Sequence, residues 1–478
     1  RPPRSTLFPY TTLFRSSYLL ITRKTPGFSA LTHRAKNLYN VASFYIRNAY
    51  SASIKSNEDR FPHEIQVLEE LNGVVDELNV IRQKHHSTPF HIIDHEHRFV
   101  SMQHLDGFFK LRDQIDYRAL PAQANQNVLH MLYRDWKSFF AALADYKAHP
   151  DKYEAIPHIP RYADKDGYKP LIFTNQICKL RKDKHGWYVK FPKAVLQAGC
   201  VRDRYDLGKM DLHEQKLKEV RLIPNGDTIK LEIVCEIEIM EPTITIHEAT
   251  RVAGIDIGVD NLTAIAFTSG HRPVLIKGNE IKAVNQFYNK QIAHYRSLLR
   301  TGKKDSKGIH QTKRMKRISE KRNRRVKDIL HKASRKIIDL CVEEGIEVIV
   351  VGNNAGWKKR IHMGKKNNQT FVQIPFRTLI EMIKYKGEAA GIRVVVCEEA
   401  IQSKASSIDE DQIPVYGNDV THTFTGKRIK RGLYRSKNGI LINADINGAS
   451  NIIRKVYPCM PKRERWSRGT VNVPVTCI

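Results

Sequence analysis

An apolar strand interrupted by a carboxylate opens the C-terminal half of this chain. The segment VAGIDIGVDN has the pattern of a buried β-strand followed by a turn, yet it carries Asp256 in its interior. A carboxylate in such surroundings must be hydrogen-bonded or neutralised by a cation. Asp256 is therefore either a strand-end residue held by hydrogen bonds or a ligand of a divalent cation. Asp260, four residues later, is interpreted as an ordinary turn residue.

The segments that follow this strand predict the fold by their order. VAGIDIGVDNLTAIAFTSGHRPVLIKG indicates consecutive strands, and a long basic helical stretch follows. IEVIVVG and IRVVVC indicate two further strands separated by a helix that ends at Gly391, and NADINGASNIIRKVY indicates a last helix. Several antiparallel strands followed by alternating strands and helices predict an α/β domain of the RNase H type over residues 246–457, with a helical insertion at 281–344.

The N-terminal half predicts a mainly helical region over residues 17–160 and a β-rich region over 161–245. In the first, an apolar stripe at helical spacing is either a packing face or a base-stacking platform; its members are Val128, Leu132, Trp136, Phe139 and Leu143. In the second, Asn225-Gly226 predicts a tight hairpin turn. The alternating strand after this turn predicts a small β-barrel or a sandwich, and the first residues of the helical region would complete the barrel.

The two ends of the chain are interpreted separately. Residues 1–16, RPPRSTLFPYTTLFRS, match one reading frame of a sequencing-adapter oligonucleotide, so we expect them to be an artefact that replaces a native N-terminus. The segment carries three arginines and no acid, which leaves the chain strongly basic without it. Residues 458–478 are interpreted as a C-terminal tail.

The charge of the chain indicates its partner. A net charge of +30 with a pI near 9.8 attracts polyanions, of which nucleic acid is the first expectation and a membrane surface the second. No apolar run of transmembrane length or secretory signal is evident, which predicts a cytoplasmic, nucleoid-associated protein without a membrane partner. The seven cysteines form no C-x-x-C pair, which argues against a zinc site and a disulfide framework.

Two further segments offer acids that would converge with Asp256. Asp445 lies in LINADINGASNI, either as a first-turn helix residue that complements the helix dipole or as a metal ligand. The strand IRVVVC ends in Glu398 and Glu399, of which only one faces a given side of the sheet. Several carboxylates around paired Mg²⁺ or Mn²⁺ ions are what two-metal phosphodiester cleavage requires.

The set GIDIGVDNLTAIAF, VIVVGNNAGWK, EEAIQSKAS and GKRIKRGLYRSKNGILINADINGASNI resembles the TnpB (OrfB) family encoded by bacterial insertion sequences. Upstream segments such as HRAKNLYNVASFYIRNAY and IPHIPRYADKDGYKPLIFTNQ are also similar to this family, so the resemblance extends over about residues 20–457. It implies an RNA-guided DNA endonuclease with a RuvC-like domain, related to the type V CRISPR effectors. It also implies a recognition-like helical region and a wedge-like β-rich domain.

This chain departs from the usual pattern of that family. The second RuvC glutamate usually follows the VIVVG-like strand, where Asn353 and Asn354 stand, and Gln402 replaces a usual threonine. The chain resembles the branch with a rearranged site, which implies Asp256, Glu399 and Asp445 as the catalytic, metal-binding residues, with Glu398 as second choice. The basic loop GKRIKRGLYRSKNG stands where the family usually has a zinc element, and we predict that it orders on nucleic acid.

Basic clusters indicate the nucleic-acid-binding surface. Residues 307–336 hold thirteen lysines and arginines against Glu320 and Asp328, more than a solvated helix face requires. Trp357 precedes a second cluster and is either a base-stacking or a structural tryptophan. The predicted nucleic-acid-binding residues are Lys313, Arg314, Lys316, Arg317, Lys321, Arg322, Arg324, Arg325, Lys358, Lys359, Arg428, Lys430, Arg431 and Arg435.

These observations predict an RNA-guided DNA endonuclease with a guide RNA and double-stranded target DNA as partners, as a monomer with its RNA or as a dimer. Two alternatives stay open. One is a catalytically inactive guided DNA binder, for which Asn353, Asn354 and Gln402 argue. The other is a guide-independent transposase or junction-nuclease subunit, which the long basic helix and the lack of a dimerisation heptad disfavour.

Overall fold

The computed structural model describes most of the chain and divides it into two compact units. The described residues are 11–22, 26–197, 199–200, 202–208, 212, 215–225, 228–240, 246–301, 311–353, 369, 372–398, 404–413, 423–458 and 474–477. One unit is Arg15–Ile237, and the other joins Arg1–Phe14 to Glu238–Ile478.

The unit Arg15–Ile237 is built on a helical layer. Its helices in the described residues are α1 (Pro26–Ile54), α2 (Pro62–Asn72), α3 (Val75–Lys84), α4 (Met102–Leu111), α5 (Ile115–Arg118), α6 (Ala124–Ala148) and α7 (Ala194–Gln197). Val128, Leu132 and Trp136 of α6 are almost fully buried, and Phe139 is 9% exposed. The apolar stripe is therefore a packing face, and the base-stacking interpretation is wrong.

The strands of this half form two described sheets. In chain order the strands are β1 (Thr11–Thr22), β2 (Leu171–Thr174), β3 (Lys179–Asp183), β4 (Gly186–Lys190), β5 (Arg204–Asp206), β6 (Lys216–Asn225) and β7 (Thr228–Met240). One sheet has the order β1-β7-β6-β2 and the other β3-β4-β5. The predicted helical and β-rich regions share one buried core that runs from Phe28 to Cys235, and the first six residues of β1 come from the segment that we expected to be an artefact.

Asn225 lies in the β6–β7 ladder, whereas the sequence predicts it as a turn residue. It pairs with Thr228 as the last register pair of the two strands. The strand pattern is as predicted at Ile229, Leu231 and Ile233, which are buried. Asn225 thus belongs to the strand because its backbone continues the antiparallel ladder.

The unit with the C-terminal half contains an α/β sheet. Its strands are β8 (Val252–Ile257), β9 (Asn261–Phe267), β10 (Val274–Lys277), β11 (Val348–Asn353), β12 (Arg393–Glu398), β13 (Lys427–Lys430), β14 (Leu433–Arg435), β15 (Leu441–Asn443) and β16 (Val475–Cys477). The described main sheet has the order β12-β11-β8-β9-β10-β16. Strands β8, β9 and β10 are antiparallel neighbours, whereas β11 is parallel to β8 and β12 is parallel to β11. This is the strand order of an RNase H-like fold, as the sequence predicts.

Helices cover both faces of this sheet. They are α8 (Asn279–Arg300), α9 (Lys313–Glu343), α10 (Phe376–Ala389) and α11 (Ala444–Val456). Helices α9 and α10 pack in an apolar cluster with Ala253, Ile255 and Ile257 of β8. Helix α11 packs in a second cluster with Val252 of the same strand. Because side chains alternate along a strand, Asp256 lies on the α11 face.

Two glycines allow α11 to approach β8 closely. A Cβ atom at Gly254 would lie 2.3 Å from the carbonyl oxygen of Ala449 in α11. A Cβ atom at Gly448 would lie 2.5 Å from Oδ2 of Asp256. Both distances are below any van der Waals contact, so the small residues permit the backbones of α11 and β8 to touch. This approach brings the first turn of α11 to the end of β8.

The cysteines that the structure describes are free thiols. Cys178, Cys200, Cys235 and Cys341 are buried, and Cys397 is partly buried. Burial raises the pKa of Cys235 to about 11 and that of Cys341 to about 12. These side chains therefore act as small core residues, as the sequence predicts.

We expect the stability of the α9–α10 contact to depend on pH because of the buried side chain of Lys386. Its side chain is 8% exposed, and Nζ donates to the carbonyl oxygen of His331 and to Oγ of Ser334. Burial, with nearby Arg335, lowers the pKa of Lys386 from 10.5 to about 8. The folded chain then releases this proton first, so stability rises as the pH increases from about 8 to 10.5.

We expect Lys386→Met to remove this rise. A shift from 10.5 to about 8 corresponds to a gain of up to about 3 kcal/mol for the wild type across that window. Urea unfolding at pH 7.5 and pH 10 measures the difference between the two proteins. Lys384→Met, on the exposed side of the same helix, is the control and should follow the wild type. An unchanged pH profile in Lys386→Met would refute the assignment.

Candidate active site

The carboxylate of Asp256 lies at the contact between β8 and α11. Its residue is partly buried, and Oδ2 lies directly against Gly448 of α11. Gly448 follows Asp445 by three residues, and residues three apart lie on the same side of a helix. Three residues correspond to about 4.5 Å along the helix axis. Asp256 and Asp445 therefore lie at the same end of one strand–helix pair.

Asp445 is presented by a capped helix N-terminus. Asn443 ends β15 and its side-chain oxygen accepts hydrogen bonds from the backbone N–H groups of Asp445 and Ile446. This is the ordinary role of an N-cap asparagine. Since the cap occupies these donors, the carboxylate of Asp445 points to other partners, and its side chain is 31% exposed.

Two side chains contact the Asp445 carboxylate from different elements. Nδ2 of Asn261, at the start of β9, donates to Oδ2 of Asp445 over 2.6 Å. The guanidinium of Arg428, on β13, lies 3.6 Å from Oδ1. The first contact is a short hydrogen bond, whereas the second is a longer ion pair whose arginine is 45% exposed. One carboxylate oxygen is thus firmly held and the other is held loosely.

Asp260 is more than a turn residue. Its carboxylate receives a hydrogen bond from Nζ of Lys282 in α8 at 2.7 Å and pairs with Arg431, beyond β13, at 2.7 Å. The hydrogen bond from Lys282, followed by the charge of Arg431, holds the pKa of Asp260 below its ordinary value. Asp260 therefore joins the turn after β8 to α8 and to the basic hairpin. No local pattern in the sequence reveals a pair separated by 171 positions.

Of the two candidates for the third acid, the structure describes Glu398 but not Glu399. Glu399, Asn354 and Gln402 lie outside them, and so do Lys358 and Lys359. Glu398 ends β12 and is exposed, and it pairs in register with Asn353 at the end of β11. Val395 and Cys397 pack with the α11-side cluster, whereas Val394 packs on the opposite face. By alternation Glu398 lies on the face opposite to Asp256.

The basic loop before Asp445 is folded, so the prediction that it orders on nucleic acid is wrong. Strands β13, β14 and β15 form a three-stranded antiparallel sheet. Tyr434 of β14 is fully buried, and its hydroxyl donates to the carbonyl oxygen of Lys404. The phenol ring gives this small sheet an apolar core, which the basic composition of the loop concealed.

A buried polar network ties the segment after Glu399 to α11. The side chain of Asn447 accepts from the N–H of Ser407 and donates to the carbonyl oxygen of Ala405, to which Asn451 also donates. Arg454 donates to the carbonyl oxygen of Asp411. Because both asparagines are almost fully buried, their satisfied amides fix residues 405–411 against the helix that carries Asp445.

The predicted basic residues divide into exposed and internally paired groups. Arg322 is partly buried and donates to Asn285 and to the carbonyl oxygen of Gln373, and Arg325 pairs with Glu280. These two contacts hold α8 and α9 together. The remaining predicted residues of α9 have exposed side chains; they are Lys313, Arg314, Lys316, Arg317, Lys321 and Arg324. Arg428, Lys430, Arg431 and Arg435 are exposed on the hairpin.

The described acids form an incomplete metal site by themselves. Within the described ranges, no group of three or more histidine, cysteine, aspartate and glutamate side chains could hold a metal ion. Asp256 and Asp445 supply two carboxylates on neighbouring elements, and hard oxygen donors of this kind suit Mg²⁺ or Mn²⁺. The two aspartates therefore fit such an ion, provided that a further acid joins them.

In the described part of the chain, none of the helices has the length and apolar character to cross a membrane.

The strand order is that of an RNase H-like domain, and Asp256 and Asp445 lie on its neighbouring elements β8 and α11. A family model described as a probable transposase, OrfB_IS605, matches residues 233–358. A second model, described as Cas12f1-like, TNB domain, matches residues 376–452 and so includes the basic hairpin and Asp445.

Two curated relatives are similar to part of this chain. The TnpB-like protein ORF457 of Acidianus two-tailed virus is 24% identical over 211 residues, which are 44% of this chain and 42% of that protein. The CRISPR-associated endodeoxyribonuclease Cas12f1 of Sulfoacidibacillus thermotolerans is 27% identical over 220 residues, which are 44% of this chain and 47% of that protein. The chain thus spans less than half the length of these relatives. The family models and the relatives are therefore each similar to part of this chain.

Two solved structures align with most of this chain. A Cas12f1–sgRNA–target DNA complex aligns with 92% of this chain and 98% of its own chain, at 12% identity and a TM-score of 0.45. A C2c1–sgRNA–extended non-target DNA complex aligns with 89% of this chain and 70% of its own chain, at 9% identity and a TM-score of 0.39.

Proposed function

We propose that this chain is an RNA-guided DNA endonuclease encoded by an insertion sequence. The observation that supports the proposal most is the meeting of Asp256 and Asp445 at one end of the β8–α11 pair. The matched family models and the endodeoxyribonuclease among the relatives agree with this assignment. Glu399 is proposed as the third acid, because an alternation that places Val395 and Cys397 on the α11 face would bring residue 399 to that face if the strand continued.

The chemistry assigned to these residues is phosphodiester hydrolysis. Asp256, Asp445 and Glu399 would hold two Mg²⁺ or Mn²⁺ ions, which supply an activated water and stabilise the leaving oxygen. The protein side chains hold and orient these ions, so no protein nucleophile is required. Arg428 is 45% exposed and only loosely paired with Asp445, which leaves it able to contact a phosphate near the site.

Exposed basic side chains would hold the nucleic acid on either side of the acids. Helix α9 buries its apolar side, including Val326, Leu330 and Ile337, in the core beside the sheet and exposes its lysines and arginines. The hairpin β13–β14 exposes a second basic group immediately before Asp445 in sequence. Contacts of both groups with phosphates would be independent of base sequence, so a guide RNA would supply the specificity.

The unit Arg15–Ile237 would serve the guide and its target. We propose its helices as the recognition-like part and its sheets as the wedge-like part implied by the family resemblance. A guide RNA and double-stranded target DNA are the proposed partners, in the cytoplasm, with one chain per RNA as the expected assembly. A dimer on one RNA is the other arrangement that a mass measurement would reveal.

Guide-dependent cleavage tests this function. The chain would be co-expressed with RNA from its own locus and purified, and plasmids with a matching or scrambled target would be compared. We expect RNA to co-purify and only the matching plasmid to be cut, with Mg²⁺ and not with EDTA. Cleavage of both plasmids, or equal cleavage after removal of the RNA, would instead support a guide-independent nuclease.

A guided DNA binder without cleavage is the second candidate. Asn353 favours it, because this amide ends β11, next to β8, where the family resemblance implies an acid. An amide is a weaker ligand for Mg²⁺ than a carboxylate. The two candidates differ in whether Glu399 supplies the third carboxylate.

A further inference from the structure

Asn261 lies between a lysine and the Asp445 carboxylate. Its Nδ2 donates to Oδ2 of Asp445 over 2.6 Å, and its Oδ1 accepts from Nζ of Lys277 over 3.0 Å. We propose that Asn261 and Lys277 are positioning residues that fix the orientation of the Asp445 carboxylate for metal binding. This inference rests on the proposed function and extends it to two residues that contact neither metal nor substrate.

Lys277 determines which end of the amide faces Asp445. An ammonium group can only donate, so the amide oxygen of Asn261 must face Lys277. The NH₂ group is then directed to Asp445, which as a carboxylate can only accept. The reversed amide would place two donors together at Lys277 and two acceptors together at Asp445. The three side chains therefore have one compatible arrangement.

The backbone around Asn261 is held in place. Asn261 and Lys277 are register partners in the β9–β10 ladder, where an irregularity follows Ile276. The N–H of Gly278 donates to the carbonyl oxygen of Asp260. A Cβ atom at Gly278 would lie 2.3 Å from the carbonyl oxygen of Val259, so the turn and the end of β10 are in direct contact. This geometry keeps the Asn261 side chain beside its lysine.

The arrangement assigns different roles to the two oxygens of Asp445. Oδ2 is occupied by the amide of Asn261, whereas Oδ1 has the longer contact with the exposed Arg428. Oδ1 is thus the oxygen available to a cation. Partners that orient a metal ligand in this way affect metal affinity by about 10- to 100-fold when they are removed.

Metal titration of variants tests the inference. Binding of Mn²⁺ to the RNA-bound protein would be measured by electron paramagnetic resonance, and target cleavage would be followed against Mn²⁺ concentration. For Asn261→Ala we expect about 10- to 100-fold weaker Mn²⁺ binding, with the cleavage rate recovering at high Mn²⁺. Lys277→Met should weaken binding less, because the amide is kept but can rotate. Lys277→Arg retains a donor and should remain nearer to the wild type.

The controls separate positioning from folding and from the function itself. Asn289→Ala removes a comparable amide pair with Gln373 away from Asp445 and should leave Mn²⁺ binding unchanged. Melting temperatures without metal report any loss of folded protein. Wild-type affinity in Asn261→Ala and Lys277→Met, alongside loss in Asp445→Asn, would overturn the inference and leave the proposed function intact. If Asp445→Asn itself binds Mn²⁺ and cleaves normally, the assignment of Asp445 as a metal ligand fails as well. A wild type that neither binds Mn²⁺ nor cleaves the target would instead contradict the proposed function.

Discussion

Replacement of either central aspartate is expected to abolish DNA cleavage while guide and target binding persist. Asp256→Asn and Asp445→Asn keep the side-chain shape and remove a metal-binding charge at the β8–α11 contact. Metal-ion catalysis contributes several kcal/mol, so each variant should lose about 10³-fold or more in cleavage rate. The amide of Asn261 still finds an oxygen acceptor in Asp445→Asn, which limits the effect on folding.

Asp260→Asn is the matched control for these variants. Asp260 lies in the turn that follows the strand of Asp256, but its carboxylate is engaged by Lys282 and Arg431. Its loss of charge should loosen the hairpin and weaken DNA binding modestly, with the cleavage rate of bound DNA retained. Single-turnover plasmid cleavage and filter binding distinguish the two effects. Equal loss of cleavage in Asp260→Asn and Asp256→Asn would contradict the assignment of the site.

Glu399→Gln and Glu398→Gln are expected to differ by about 10³-fold in cleavage. Glu398 is exposed and lies on the face of β12 opposite to Asp256, so removal of its charge should change the rate less than about threefold. Glu399 is the next residue and carries the proposed third metal ligand, so Glu399→Gln should lose the several kcal/mol of metal catalysis. The same single-turnover assay measures both variants, and a reversed order would identify Glu398 as the ligand.

The sequence predicts the main sheet because each strand is indicated by a local run of apolar residues. Apolar runs at β8, β11 and β12 indicate strands, and their order with the intervening helices predicts the strand arrangement that the structure has. The burial of Trp136 similarly follows from helical spacing. Asn225 belongs to β6 and not to the turn, because its ladder pairing with Thr228 extends the strand through this favoured turn residue.

The contacts that complete the candidate site are not encoded in any local pattern. Asn261 and Asp445 are 184 positions apart, and their hydrogen bond follows from the close approach of α11 to β8. Glycine is an unfavourable helix residue, so the sequence alone does not explain Gly448. The structure shows that a Cβ atom at this position would collide with Asp256. Asp260, Arg322 and Arg325 also have partners within the protein. The composition of their segments predicts only a turn or side chains that contact solvent or nucleic acid.

The basic hairpin shows why composition alone misleads at this site. Nine of the fourteen residues in GKRIKRGLYRSKNG are basic residues or glycines, which predicts a loop without a core. The one aromatic residue, Tyr434, is buried and bonded to Lys404, which is sufficient to anchor short strands. Asp411 adds a second anchor, since its carboxylate accepts from the backbone of Ser406 and of Thr425.

Glu399, after β12, is proposed to supply the third acid of an active nuclease site. Cleavage of a target-bearing plasmid with Mg²⁺ tests this proposal, using wild type and Glu399→Gln, each co-purified with the RNA of its locus. Both proteins should bind the target, and only the wild type should cut it. A wild type that binds guide and target but does not cut would contradict the claim. Asn353 would then mark the loss of the acid, and the protein would be a guided DNA binder.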